Sequence, residues 1–102
     1  MLKITNDMVE ISKEENAIVA FTADWCNPCT KMKPQFAKAS MVDKDTPYFV
    51  VDVDVIGPVW TEKYNIRSIP QILELNKGEV SRSITGRTTQ TILSEIRRED
   101  EN

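Results

Sequence analysis

The run Ala17-Ile18-Val19-Ala20-Phe21-Thr22 is apolar on both of its alternating faces and has the length of a strand. A strand of that kind needs cover on two sides, as in the middle of a sheet. Cys26-Asn27-Pro28-Cys29 follows almost at once, and Thr30–Lys38 then reads as a helix. Two thiols therefore stand where a strand gives way to a helix. The first turn of a helix has unpaired N–H groups and the positive end of the helix dipole. A thiolate there is stabilised, so its pKa falls and it becomes a nucleophile near neutral pH. The second thiol lies about one turn further on, within reach of a mixed disulfide formed at the first. The spacing suits dithiol–disulfide exchange.

The remaining segments supply a sheet for that strand. Leu2–Ile4 is a short strand candidate, and Thr5-Asn6-Asp7 offers N-cap oxygens for a helix through Met8, Val9, Ile11 and Ser12. Pro34 falls inside the helix after the cysteines, where Met32, Phe36 and Ala39 share an inward face. Met41–Pro47 reads as a polar connection, and Tyr48–Asp54 as the second strong strand. Strand, crossover helix and strand make a right-handed βαβ unit, so the two strands are expected to be parallel. Gly57-Pro58 breaks the chain before a short helix at Val59–Tyr64. Gln71–Leu75 and Glu79–Ile84 alternate apolar and polar residues around Asn76-Lys77-Gly78, the pattern of a β-hairpin. Gly86 closes the sheet region; Thr88 or Thr89 caps a last helix with Ile92, Leu93 and Ile96 on its apolar face. These elements predict one α/β domain over residues 1–102, a mixed sheet lying between helices.

Composition narrows the function. With 40% apolar and 28% charged residues, the chain is ordinary for a soluble domain. A net charge of −3 with scattered basic residues argues against nucleic acid as the partner. No apolar run approaches a membrane span. Met1–Asp7 has neither an apolar core nor a small-residue cleavage site, so no export signal is expected and the cytoplasm is the expected compartment. In a reducing compartment, paired cysteines point to redox or metal chemistry. Tetrahedral zinc needs further ligands, and the chain has two cysteines and no histidine, so no metal is expected.

Four features in this order resemble the thioredoxin family: Ala23-Asp24-Trp25-Cys26-Asn27-Pro28-Cys29, Pro34, Lys63–Pro70 ending in Ile69-Pro70, and Lys77-Gly78-Glu79-Val80 followed by Gly86. The resemblance runs nearly end to end. It implies the thioredoxin fold, a central mixed β-sheet of four to five strands flanked by helices on both faces. It also implies a protein-disulfide reductase working as a monomer without a cofactor beyond the redox-active Cys26-Cys29 pair. Cys26 would be the attacking thiolate on the exposed side of the helix start, and the more buried Cys29 would resolve the mixed disulfide. Trp25, Asn27, Pro28, Ser68, Ile69 and Pro70 would contact substrate. Pro70 is expected to be cis, its loop offering backbone groups to an extended peptide. The implied partners are thioredoxin reductase or a glutaredoxin-type donor system on one side, and disulfide-containing clients such as ribonucleotide reductase on the other.

Two departures from the family pattern bear on mechanism. The acidic residue expected beneath the resolving thiol is Ala20 here, and no lysine occurs in Tyr48-Phe49-Val50-Val51. Water or Asp52 is left for that proton-transfer role, and slower deprotonation of Cys29 is expected. Asn27 stands where glycine is usual, which is expected to shift the reduction potential. Two other readings compete. One is a thioredoxin-fold binding subunit that docks without redox chemistry, as in a polymerase. The other is a glutaredoxin-like protein, disfavoured because Trp-Cys-Asn-Pro-Cys lacks the tyrosine common inside that motif. Trp60 is expected to be a packing residue, Asp24 a solvated charge, and Glu99-Asp100-Glu101-Asn102 a frayed tail.

Overall fold

A computed structural model describes residues 2–100, with side chains to residue 97. In chain order the elements are β1 (Leu2–Ile4), α1 (Met8–Ser12), β2 (Ala17–Thr22), α2 (Asn27–Val42), β3 (Tyr48–Asp52), α3 (Val53–Ile56), α4 (Pro58–Lys63), β4 (Gln71–Asn76), β5 (Glu79–Ile84) and α5 (Thr89–Asp100). The five strands are ordered β1-β3-β2-β4-β5. β1, β3 and β2 run parallel, whereas β4 is antiparallel to β2 and β5 to β4. The parallel βαβ unit and the late hairpin are as the sequence predicts. Among the described residues no helix is long and apolar enough to cross a membrane.

Every residue of β2 is buried, because the strand feeds two cores at once. Ile18 and Ala20 face one core with Met32, Phe36 and Ala39 of α2, Ile92 and Leu93 of α5, and Tyr48, Val50, Ile72 and Ile84 of the sheet. Ala17, Val19 and Phe21 face the other, with Met8 and Ile11 of α1 and Tyr64 just past α4. The period-two alternation of a strand produces this division. It also fixes the position of α2, whose first turn carries the cysteines.

Local chemistry explains where the elements stop. Asp7 caps α1, its side chain accepting from the Glu10 N–H at 3.0 Å. Thr88 caps α5, its hydroxyl accepting from the Thr91 N–H at 3.2 Å. The hairpin turn has Lys77 at φ 49° and Gly78 at φ 83°, both positive as in a type I′ turn. A side chain at Gly78 would also press against Ser12, 3.0 Å from its Cβ. The Tyr64 hydroxyl donates to the Gly78 carbonyl at 2.8 Å and ties this turn to the α4 side.

Several boundaries differ from the sequence reading, among them the short helix expected at Val59–Tyr64, which runs Pro58–Lys63. β3 ends at Asp52 rather than Asp54, because the Asp52 carboxylate accepts from the Asp54 N–H at 2.8 Å and starts α3. α2 takes in Met41 and Val42, expected in a connection, and the Asp43 N–H still reaches the Ala39 carbonyl at 2.9 Å. Both side chains are exposed, so no apolar periodicity marked them as helical. The backbone of α5 includes residues 99 and 100, expected in a tail, and residues 101 and 102 lie outside the described residues.

Glu95 joins α5 to the end of the sheet. Its carboxylate accepts from the Thr85 N–H at 2.9 Å, the Thr85 hydroxyl at 3.1 Å and the Gly86 N–H. Partial burial opposes its ionisation, yet these donors together with the Arg87 charge outweigh that and hold its pKa below the ordinary carboxylate value. A depressed folded-state pKa stabilises the protein above the unfolded value, and the stabilisation disappears as pH falls through the folded one. Glu95→Gln is therefore expected to lose about 1 kcal/mol at pH 7. The variant should also lose less further stability than the parent between about pH 5 and pH 3. Urea unfolding at both pH values checks this; parallel pH dependences in the two proteins would refute it.

Candidate active site

Ala23, Asp24 and Trp25 link the central strand to α2, and Cys26 occupies the N-cap position in an extended conformation, φ −89° and ψ 105°. Its Sγ accepts from the Cys29 N–H at 3.1 Å, so the sulfur takes the place usually held by a capping oxygen. Pro28, in the first turn, has no N–H and a φ already suited to a helix start. Thr30 donates from its N–H to the Cys26 carbonyl at 3.3 Å. Cys26 and Cys29 are joined by a disulfide, with Cα atoms 5.2 Å apart.

The disulfide is sunk into the protein. Cys29 is fully buried and Cys26 only 4% exposed. The expectation of an exposed Cys26 is thus corrected. Ala23, Val53 and Ile69 pack around the pair and leave only a sliver of Cys26 open. Ile69-Pro70 is a cis peptide, as the resemblance implies. Ser68 is exposed in the same loop, while Ile69 and Pro70 are half-buried.

Trp25 is 68% exposed, and its Nε1 donates to Asp54 Oδ2 at 2.8 Å. Between Trp25 and the Ser68–Ile69 loop lies an open groove of about 550 Å³, with Val53, Asp54 and Arg67 among its walls. Asn27 and Pro28 are exposed on the helix start. Pro28 and Pro70 lead into a second, smaller groove of about 270 Å³ on the side of Arg87. Asp24 is exposed, in keeping with a solvated charge, and Trp60 stacks on Tyr64 with centroids 6.2 Å apart.

Three contributors escaped the sequence reading. Val53 and Asp54 were expected on a strand, and only the helical turn of α3 brings one to the cysteines and the other to Trp25. The Asp-x-Asp spacing of residues 52–54 was the available signal, since an aspartate often accepts from the N–H two residues on. Arg87 donates to the Pro70 carbonyl at 3.0 Å and to the carbonyls of Ile84 and Gly86. Nothing local announces that tether, which spans 17 residues of sequence.

Ala20 is buried in an apolar cluster, and among the described residues the buried polar side chains are Thr22 and Ser40, neither of them a carboxylate. Its neighbours across the sheet are Val50 and Ile72. Asp52, the alternative acid, directs Oδ1 to the Asp54 N–H.

A disulfide that caps a helix lies beside a cis-proline loop on a mixed sheet, an arrangement suited to dithiol–disulfide exchange. The thioredoxin family model matches residues 2–98, and the chain belongs to that family. Thioredoxin 1 of Plasmodium falciparum is 34% identical over 90 residues, covering 84% of this chain and 86% of that protein. Thioredoxin H3 of Arabidopsis thaliana is 29% identical over 79 residues, or 78% of this chain. The match spans 66% of Thioredoxin H3 and 46% of Thioredoxin H8 from the same plant. The solution structure of oxidised thioredoxin from Plasmodium falciparum superimposes with a TM-score of 0.82 at 28% identity, over 97% of this chain and 98% of that one. Human ERp44 gives 0.81 at 26% identity over 100% of this chain and 33% of its own.

Proposed function

We propose that this chain is a single-domain protein-disulfide reductase over residues 1–102, passing two electrons from a thioredoxin reductase to disulfide-containing clients in the cytoplasm. The observation carrying the proposal is the disulfide at the N-cap of α2, with Cys26 Sγ accepting the Cys29 N–H. When the pair is reduced, the same N–H and the helix dipole favour a Cys26 thiolate over the thiol. That thiolate attacks one sulfur of a client disulfide and expels the other as a thiolate, giving a mixed disulfide. Cys29 loses its proton, attacks Cys26 Sγ and expels the second client sulfur. The client gains two electrons and two protons, and the Cys26–Cys29 disulfide is restored. A reductase returns the electrons, and ribonucleotide reductase is one client class that needs such a supply.

Trp25, Asn27, Pro28, Ser68, Ile69 and Pro70 form the proposed contact surface for the client. Trp25 offers a flat exposed ring held by Asp54. Ile69 packs on the disulfide, so a chain lying along its loop passes beside the reacting sulfur. Insulin-disulfide reduction tests the class: turnover with a thioredoxin reductase and NADPH is expected, and turnover with glutathione alone would overturn the reading.

Among the described residues no carboxylate is buried beside Ala20 to act as a base for Cys29. Ala20→Asp is expected to shorten the life of the mixed disulfide, most visibly between pH 6 and pH 8 as roughly estimated from buried-carboxyl behaviour. The same substitution buries a carboxyl group and should lower stability by about 1–3 kcal/mol. Rapid-quench measurement of the mixed disulfide checks the first effect. A lifetime unchanged across pH would show that Cys29 does not need that acid.

A further inference from the structure

The smaller groove beside the disulfide combines apolar side chains with two cations. Pro28, Met32 and Pro70 supply its apolar lining, and Lys31 and Arg87 its charged lining. Both cations are exposed. Arg87 is held in place by the carbonyls of Pro70, Ile84 and Gly86, which position its charge without neutralising it. Glu95 feels that charge but directs its oxygens to Thr85 and Gly86. Among the described residues, no carboxylate forms a salt bridge with Lys31 or Arg87.

The charge here runs against the rest of the molecule. The chain as a whole carries −3, yet residues 27–42 contain Lys31, Lys33 and Lys38 and no aspartate or glutamate. Cations near the start of a helix gain nothing from its dipole, which favours anions at that end. The helix terminus and the two side chains thus add to one positive field, over an apolar trough that begins at Pro28, between the cysteines, and Pro70, next to Ile69.

We propose that this groove selects client polypeptides bearing an acidic side chain close to the reactive cysteine, with Lys31 and Arg87 as specificity-determining residues. The inference rests on the reductase reading above and names its preferred substrate class. The client's carboxylate pairs with these two cations while the apolar part of its chain lies on Pro28, Met32 and Pro70. Exposed pairs of this kind are individually weak and screened by salt, and they act on encounter and on KM rather than on the chemical step.

The test uses the full chain, kept reduced by a thioredoxin reductase and NADPH, with three disulfide-bonded peptides of equal length that differ only in Asp, Asn or Lys flanking the reactive cysteine. The Asp peptide is expected to exceed the Asn peptide in kcat/KM by about 3- to 10-fold at low salt, with the Lys peptide slowest. The preference should shrink towards one near 1 M salt, where the Debye length is about 3 Å. Lys31→Gln, at an exposed side chain, should reduce the preference through KM. Arg87→Lys, which keeps the charge, should retain more of it than Arg87→Gln, separating charge from the loop tether. Lys44→Gln, away from the groove, should leave it intact. Reduction of all three peptides at equal rates, or a preference untouched by Lys31→Gln and Arg87→Gln together, would overturn this inference alone. Reduction of none would overturn the reductase reading and this inference with it.

Discussion

Cys26→Ser is expected to abolish insulin-disulfide reduction, by on the order of 10³-fold or more, while the far-UV circular dichroism stays that of the parent. Exchange requires a thiolate, and a serine hydroxyl at the N-cap of α2 neither ionises near pH 7 nor displaces a sulfur. Serine is itself a good N-cap residue, able to accept the Cys29 N–H that Cys26 Sγ now accepts. The helix start is thus preserved as the chemistry disappears. Cys29→Ser should behave differently: Cys26 still attacks, but nothing resolves the product, and a mixed disulfide accumulates to one client per chain. Mass spectrometry after mixing with a disulfide-bonded peptide distinguishes the two variants. Undiminished function in Cys26→Ser would favour the docking-subunit reading, in which the fold is kept without its redox pair.

Phe36→Ala is expected to have the largest effect on stability, about 3–5 kcal/mol. Phe36 is fully buried under the middle of α2, its ring 5.1 Å from that of Tyr48 and tilted by 53°. Removing it leaves a cavity between the helix and the sheet that neighbouring rings cannot fill without leaving their rotamers. Domains of this size have only about 5–15 kcal/mol in total, so the variant should be near the limit of folding at physiological temperature. In urea the midpoint should fall with little change in slope, the sign of a stability effect rather than a changed denatured state. Val59→Ala, at a side chain 75% exposed, should stay within about 0.5 kcal/mol of the parent. Because α2 carries both cysteines, partial loss of Phe36 packing should also slow reduction in proportion to the unfolded fraction.

Much of this architecture was legible in order along the chain. Strand β2 begins and ends where its apolar run does, since a fully buried strand writes its burial into the sequence. Met32, Phe36 and Ala39 face the core as their spacing requires. The ends of α2 and β3 were less visible. Met41 and Val42 are helical but exposed, and the end of β3 depends on one side-chain cap at Asp52 rather than on a periodic signal.

The sequence alone determined the chemistry available: two thiols at a fixed spacing, a proline in the first turn between them, and a strand and helix whose junction aims that turn outward from the sheet. Local bonding along a few residues suffices for this, so it can be read without coordinates. The tertiary structure decided how much of Cys26 is left open, which residues wall it in, and where the charges nearest to it stand. Val53 and Ile69 come to the disulfide from separate segments, and Arg87 comes from a third to the Pro70 carbonyl beside Ile69. Their meeting depends on how α2 seats on the sheet, a sum of many weak packing contacts between residues distant in sequence that no local pattern records.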